Sequence, residues 1–202
     1  FKELVPIQAY EDLKPYIDEV MQGEPDILWN TPIEWFAKSS GTTSDKSKFI
    51  PLSQESIEDN HFQGSKDVLS IYYNALPESD LLTGKMLVIG GSHQVHPIKE
   101  DIQYGDLSAV LLQNSPFWAG LIRTPELSIA LMDEWEAKIE SLAQNTINED
   151  VTSIAGVPTW TLVLLKGYLK SQEKIPSKKC GQILNCIYMA AFPLHPIKNN
   201  LK

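Results

Sequence analysis

Residues 39–48 form a polar segment whose side chains could bind phosphate. The segment reads SSGTTSDKSK and combines hydroxyl side chains, a glycine and the lysines Lys46 and Lys48. Small residues let backbone N–H groups approach a phosphate closely, hydroxyls add donors, and lysine supplies the opposite charge. The G-x-x-x-x-G-K-[ST] spacing of a Walker P-loop is absent. Two interpretations stay open, a phosphate-binding loop or an ordinary solvated hairpin loop, because the same residue types dominate turns.

The other residues that could do chemistry favour structural interpretations. His93 and His96 form an H-x-x-H pair, but the turn residues on either side indicate a loop, and a zinc site would need further ligands. Three glutamates are expected on a solvated helix face rather than as a carboxylate pair. They are Glu134, Glu136 and Glu140. No metal site is therefore predicted, and no catalytic side chain is assigned.

Predicted strands and helices alternate along the chain that positions the polar segment. The predicted strands are residues 35–37, 48–52, 86–89 and 151–155, so the polar segment lies between the first two. The predicted helices are residues 13–21, which Gly23 should end, 53–73 with Ser53 as N-cap, 107–112, 125–143 and 158–170. This alternation predicts an α/β fold with a mostly parallel sheet flanked by helices.

Composition limits the class of protein and the compartment. The 202 residues are 43% hydrophobic and carry a net charge of −9, which predicts one globular domain or one lobe of a larger enzyme. The excess of acidic residues excludes nucleic acid and anionic membrane surfaces as expected partners. Cys180 and Cys186 are too few for a disulfide scaffold or a zinc site, so a cytoplasmic location is expected. The chain opens with neither Met nor a signal peptide, which indicates the interior of a longer protein.

Residues 39–43 followed by Lys48 and by Ile50-Pro51 resemble the phosphate-binding loop of adenylate-forming enzymes. The spacing to the lysine is similar to that of the auxin-responsive acyl acid–amido synthetase family, and four further segments resemble its bacterial-type members. These segments are residues 90–93, 104–108, 113–118 and 156–160. Asp45 departs from the family pattern, in which many members have glycine.

The resemblance implies part of the N-terminal domain of the luciferase-like, adenylate-forming fold over residues 1–176. It also implies a ligase that uses ATP and Mg²⁺ to adenylate a small carboxylic acid and then transfers the acyl group to the amine of an amino acid. The residues that would bind the ATP phosphates are Ser39, Ser40, Gly41, Thr42, Thr43 and Lys48. An acyl-CoA ligase of the same superfamily is the enzymatic alternative, and a non-catalytic remnant or binding module is the other.

The acyl group would need a pocket with apolar walls and a few polar groups. Val157, Thr159 and Trp160, at a predicted strand-to-helix turn, are candidates for that pocket, with Asn114 and Trp118 behind them. Packing in the hydrophobic core is the alternative role for each aromatic side chain.

The last residues, 177–202, do not match the family. Shifted-frame codons for this stretch can encode a string similar to bacterial members, so we expect a frameshift followed by an early stop. Because the adenine-contacting motif, the ribose-contacting acid and the C-terminal domain of the family lie further downstream, the resemblance implies a truncated chain with weak or no ligase activity.

Overall fold

The computed structural model describes residues 4–39, 47–90, 95–146 and 149–171. These residues belong to two compact units. Of the described residues, unit 1 comprises those up to Ser79, those within 90–116 and Leu131–Glu134, and unit 2 comprises Asp80–Ile89, Phe117–Ala130 and those from Trp135 onward. The predicted boundary at residue 176 and the predicted frameshifted tail lie outside the described residues.

Seven helices and seven strands are assigned in the described ranges. The helices are α1 (Tyr10–Met21), α2 (Gln63–Ala75), α3 (Leu107–Gln113), α4 (Ala119–Ile122), α5 (Leu127–Ala130), α6 (Trp135–Thr146) and α7 (Pro158–Ser171). A π-helical segment, Ser56–Phe62, leads directly into α2. The strands are β1 (Trp35–Lys38), β2 (Phe49–Leu52), β3 (Lys85–Ile89), β4 (His96–Lys99), β5 (Ile102–Gly105), β6 (Arg123–Thr124) and β7 (Val151–Gly156).

Helix α1 ends at a glycine, as its sequence predicts. Gly23 has a φ of 89°, in the left-handed region that favours glycine. The Gly23 N–H donates to Val20 O at 2.9 Å, and the Glu24 N–H donates to Glu19 O at 3.2 Å. These two bonds form a Schellman motif, which satisfies carbonyls that have no partner within the helix. The predicted N-cap Ser53 is also confirmed, because its Oγ accepts from the Ser56 N–H at 3.1 Å.

Unit 1 contains a four-stranded sheet in the order β2-β1-β5-β4 with apolar clusters on both faces. Strand β1 pairs with β2 antiparallel and with β5 parallel, and β4 pairs with β5 antiparallel. Phe36 of β1 lies in one cluster with Ile17 and Val20 of α1. Its neighbour Ala37 lies in the other, with Ile57 of the π-helical segment and Val110 of α3. Successive strand residues point to opposite faces, so β1 is buried on both sides.

Unit 2 contains a three-stranded parallel sheet in the order β6-β3-β7. Leu87 of β3 and Ile154 of β7 are paired across the ladder and lie in one apolar cluster. Helices contribute Ile129, Leu142 and Leu164 to that cluster. Three of the five strand pairings in the described ranges are parallel, so the predicted α/β class with a mostly parallel sheet flanked by helices is confirmed, and the fully parallel sheet is that of unit 2.

Two sequence-based expectations about local structure are wrong. His96 begins β4 instead of lying in a loop, because this mostly exposed strand is an edge strand, where Pro97 costs no inner hydrogen bond. The predicted helix 125–143 is two helices, α5 and α6, with residues 131–134 between them. The apolar spacing from Leu131 to Leu142 runs across this break, so periodicity alone did not reveal it. No helix in the described part of the chain has the length and apolar character needed to span a membrane.

Candidate functional site

Ser39 and Lys48 face each other at the base of the polar segment. The ladder between β1 and β2 runs from Trp35 opposite Leu52 to Lys38 opposite Phe49. Beyond it, the Ser39 N–H donates to Lys48 O at 2.8 Å, and the Lys48 N–H donates to the Ser39 Oγ at 3.1 Å. The two strands predicted on either side of the polar segment are therefore confirmed as an antiparallel pair. Four further predicted phosphate ligands lie outside the described residues. They are Ser40, Gly41, Thr42 and Thr43.

The bonds to Lys48 restrict what Ser39 can offer to a ligand. Its backbone N–H already donates within the hairpin, and its Oγ already accepts one hydrogen bond. With these two bonds in place, Ser39 can still donate its hydroxyl proton to a ligand. Its assignment as a phosphate ligand stays a prediction, and the geometry adds a role in fixing the hairpin.

Two lysines of this hairpin lie over aromatic rings. The Lys48 Nζ lies 5.1 Å from the centroid of the Tyr10 ring, and the Lys38 Nζ lies 5.5 Å from the centroid of Tyr104. Both distances are within the range of cation–π attraction. The Tyr10 hydroxyl also accepts from the Phe49 N–H at 2.9 Å and donates to Phe49 O at 3.2 Å. The contact of Tyr10 could not be predicted from the sequence, because no local motif connects it to a lysine so distant along the chain.

A second group of polar residues lies on one face of the sheet in unit 2. Met86 of β3 is paired with Arg123 of β6 on one side and with Ser153 of β7 on the other. Residues paired across a ladder point to the same face, so the three side chains form a row. Ser153 is 3% exposed, and its Oγ forms no hydrogen bond within the described part of the chain. Burial lowers the pKa of Arg123 from its ordinary value.

This row was also missed, although one signal was present. Ser153 is a polar residue within the predicted strand 151–155, which reads VTSIA, and a polar residue at a buried strand position requires a polar partner or a ligand. A carboxylate is the kind of ligand that a guanidinium and a hydroxyl together bind well.

The residues predicted for an acyl pocket are distributed over both units. Val157, Thr159 and Trp160 lie at the turn from β7 into α7 in unit 2, and Trp118 precedes α4 in the same unit. Their side chains are exposed, with Trp160 44% accessible and 4.2 Å from the Trp135 ring between centroids. Exposure at this level does not support core packing as the role of Trp118 or Trp160.

Asn114 belongs to unit 1, where it follows α3. Its Nδ2 donates to Val110 O at 2.9 Å, one turn earlier in the chain. This bond leaves the side-chain carbonyl oxygen of Asn114 as an acceptor. The role of all five residues in binding an acyl group stays a prediction. In the described ranges, no group of three or more His, Cys, Asp or Glu residues could hold a metal ion.

Comparison with known proteins places these features in a family. Indole-3-acetic acid-amido synthetase GH3.15 of Arabidopsis thaliana is 27% identical over 173 residues, which are 78% of this chain and 27% of that protein. Jasmonoyl-L-amino acid synthetase JAR6 of Nicotiana attenuata is 46% identical over 59 residues, 29% of this chain and 10% of that protein. This chain therefore spans about a quarter or less of these relatives.

A solved structure has the same fold. The AtGH3.15 acyl acid amido synthetase, solved in complex with 2,4-DB, superposes with a TM-score of 0.65 at 22% identity. The match covers 81% of this chain and 29% of that chain. The GH3 family N-terminal domain matches residues 1–172. These matches confirm the resemblance to acyl acid–amido synthetases, and the chain belongs to the GH3 family.

Proposed function

We propose that this chain acts in the ATP-dependent activation of a carboxylic acid and its transfer to an amino acid. In the first step, a carboxylate oxygen attacks the α-phosphorus of ATP, the bond to pyrophosphate breaks, and an acyl-adenylate forms. In the second, an amine nitrogen attacks the acyl carbon, an amide bond forms, AMP leaves, and the amine loses a proton. The activities for which the similar amido synthetases are named support an acid and an amino acid as the substrate classes.

The observation that carries this proposal is the hairpin base. Ser39 and Lys48 are held opposite each other by two hydrogen bonds, which bring the two ends of the polar segment together beside the lysine that carries the ammonium group. Phosphate oxygens would accept from the hydroxyls and backbone N–H groups of Ser40, Gly41, Thr42 and Thr43, and Lys48 would supply positive charge. Charge that develops on the departing pyrophosphate is stabilised by such donors.

Mg²⁺ is part of the proposal as the ion that accompanies ATP. The described residues offer no carboxylate cluster for it, so they do not fit a dedicated protein site. Mg²⁺ is commonly bound through substrate phosphates and water, and we assign no step to it here.

The acid would be bound in unit 2. Arg123 of β6 and Ser153 of β7 flank Met86 on the two sides of β3, each on a strand about 4.8 Å from it. A carboxylate above Met86 could accept from the guanidinium and from the Ser153 hydroxyl, which is buried and has no partner among the described residues. Val157, Thr159, Trp160 and Trp118 of the same unit are proposed for the rest of the acyl group.

Nucleotide binding tests the first half of the proposal. Ligand at one hundred times its Kd stabilises the folded state by about 2.7 kcal/mol, so Mg·ATP should raise the melting temperature of the chain. Thr42→Ala and Lys48→Ala should remove most of that rise. Lys38→Ala, which deletes one positive charge from the same hairpin, is the matched control and should keep the rise. If Mg·ATP does not change the melting temperature of the wild type, the result would favour a non-catalytic binding module.

Acid binding tests the second half. A panel of carboxylic acids is titrated into the wild type and into Ser153→Ala, with Ser70→Ala as control, because Ser70 is exposed and its hydroxyl donates locally to Lys66 O. Weaker binding in Ser153→Ala alone is the expected result. Equal binding by all three proteins would refute an acid site at this row.

Catalysis and acceptor choice need separate measurements. Since the chain spans 27% of the amido synthetase that it matches over 173 residues, we expect weak or no ATP–pyrophosphate exchange from these 202 residues alone. Robust exchange would show that they are sufficient. Supplying amino acids or coenzyme A to any adenylate formed, and identifying the product by mass spectrometry, separates an amide ligase from an acyl-CoA ligase. We also propose a cytoplasmic location, because the sequence contains few cysteines.

A further inference from the structure

We propose that Tyr10 is a positioning residue for Lys48, holding its ammonium group ready for a polyphosphate at the hairpin base. The inference rests on the proposed function, because it assumes that the hairpin loop binds the phosphates of a nucleotide. It goes beyond that function by assigning a task to a residue of α1, far from the loop in sequence.

The first support is the way Tyr10 holds strand β2. Because β2 is at one edge of its sheet, its outward backbone groups have no neighbouring strand. The Tyr10 hydroxyl takes that place at Phe49, accepting from its N–H at 2.9 Å and donating to its carbonyl at 3.2 Å. Phe49 directly follows Lys48, so this clamp fixes the backbone from which the lysine extends.

The second support is that Tyr10 itself is rigidly held. It opens α1, whose residues Ile17 and Val20 are buried in the same apolar cluster as Phe36. Tyr10 and Phe49 both pack against that cluster. A ring fixed in this way can restrain a flexible lysine side chain, which otherwise carries a large rotamer entropy.

The third support is the position of the ammonium group over the ring. At 5.1 Å from the Tyr10 centroid, the Lys48 Nζ is attracted to the ring face. An ammonium group has three donors, so stacking on one side leaves N–H groups that can donate to phosphate oxygens. Ordering the lysine before the ligand arrives reduces the entropy lost on binding, which strengthens binding without any new contact to the ligand.

The experiment measures binding of inorganic tripolyphosphate and of Mg·ATP to the full chain by isothermal titration calorimetry. The variants are Tyr10→Leu, Tyr10→Phe, Lys48→Ala and the double variant Tyr10→Leu/Lys48→Ala. Tyr16→Leu is the control, since Tyr16 is on the same helix and is 50% exposed. We expect Tyr10→Leu to weaken binding about fivefold, in line with a cation–π contact and lost ordering. Tyr10→Phe, which keeps the ring, should weaken it by about twofold.

The double variant distinguishes positioning from a general effect on folding. If Tyr10 acts through Lys48, then Tyr10→Leu should change affinity little once Lys48 is already alanine. An equal fivefold loss in both backgrounds would overturn the proposal, as would unchanged or tighter binding in Tyr10→Leu. Should Tyr10→Leu fail to fold by circular dichroism, Tyr10→Phe decides, and wild-type affinity in that variant would overturn the proposal.

Failure of the underlying function gives a different result. If the wild type binds neither probe, or if Lys48→Ala binds both as well as the wild type does, then the proposed phosphate site is wrong and this inference falls with it. If Lys48→Ala loses binding while both Tyr10 variants retain it, the phosphate site stands and only the role of Tyr10 is refuted.

Discussion

Replacing Gly84 with alanine should destabilise unit 2 more than the addition of one methyl group would suggest. Gly84 immediately precedes β3, and a Cβ built on it would lie 2.2 Å from the backbone oxygen of Asp150 and 2.8 Å from the Thr152 Cγ2. Real Cβ atoms essentially never approach another heavy atom closer than 3.0 Å. The backbone at Gly84 and Asp150 must therefore separate by roughly 0.8 Å, a packing strain that close-packed interiors tolerate poorly.

The loss of stability follows from the hydrogen bonds that this separation would break. Asp150 O accepts from the Lys85 N–H at 2.7 Å, and the Gly84 N–H donates to the Thr152 Oγ1 at 3.2 Å. These bonds connect the starts of β3 and β7. Losing one net hydrogen bond costs about 1 kcal/mol, and overpacking adds roughly 1–3 kcal/mol. We expect Gly84→Ala to lower the free energy of unfolding by about 3 kcal/mol.

The assay is urea unfolding by circular dichroism, together with hydrogen exchange of the Lys85 amide. Gly64→Ala is the matched control, because Gly64 is in α2 and no atom outside its own helix lies within 4 Å of the added Cβ. The control should be more stable than the wild type by about 0.5–1 kcal/mol, since alanine is the better helix former. If the same Gly→Ala change destabilises the protein at position 84 and stabilises it at position 64, the difference arises from the space around each glycine and not from the residue type.

Two results would refute this reasoning. One is a Gly84→Ala variant that unfolds at the wild-type urea midpoint. The other is a destabilised variant in which the Lys85 amide exchanges no faster than in the wild type, because the loss would then arise away from the contact that predicts it.

Three further changes have expected outcomes. Leu142→Ala, at a fully buried side chain in the core of unit 2, should cost about 3 kcal/mol in urea unfolding, whereas Leu162→Ala, at a side chain 42% exposed, should cost far less. Gly23→Ala should cost about 1 kcal/mol in the same assay, because φ at this position is 89°. The pKa of Glu55 is lowered chiefly by a hydrogen bond to its own backbone, with further bonds from Ser53, Thr31 and Trp29. Its ionised form therefore stabilises the fold above the ordinary pKa of about 4.3, and this contribution is lost as the pH falls through the lower folded value. Glu55→Gln should reduce the fall in melting temperature over that acid range, and an unchanged pH profile would count against the role of this carboxylate.

Features encoded by neighbouring residues could be predicted from the sequence. The hairpin follows from two apolar runs around a polar segment, and the end of α1 follows from Gly23, because both depend on residues close together in the chain. The predicted strands 86–89 and 151–155 are likewise found as β3 and β7. A buried parallel strand needs an apolar run between turn residues, which a single sequence displays directly.

Features that depend on contacts across the fold could not be predicted. Tyr10 and Phe49 are 39 residues apart, and their hydrogen bonds exist only because α1 packs beside the edge strand β2. Arg123 and Ser153 come to lie in one row only because each is paired with Met86 of the strand between them. The break between α5 and α6 escaped detection because its residues keep a helical apolar spacing. In the first two cases tertiary pairing decides, and local propensity carries no record of it.

The two candidate sites belong to different units, which makes their roles separable. The hairpin base with Lys48 lies in unit 1, and the row of Arg123, Met86 and Ser153 lies in unit 2. Adenylation requires a polyphosphate and a carboxylate, and each of these chemistries matches one site. Lys48→Ala should therefore weaken polyphosphate binding and leave acid binding intact, and Ser153→Ala should do the reverse. Loss of both ligands in either variant would instead indicate that one site binds both substrates or that the fold itself has been lost.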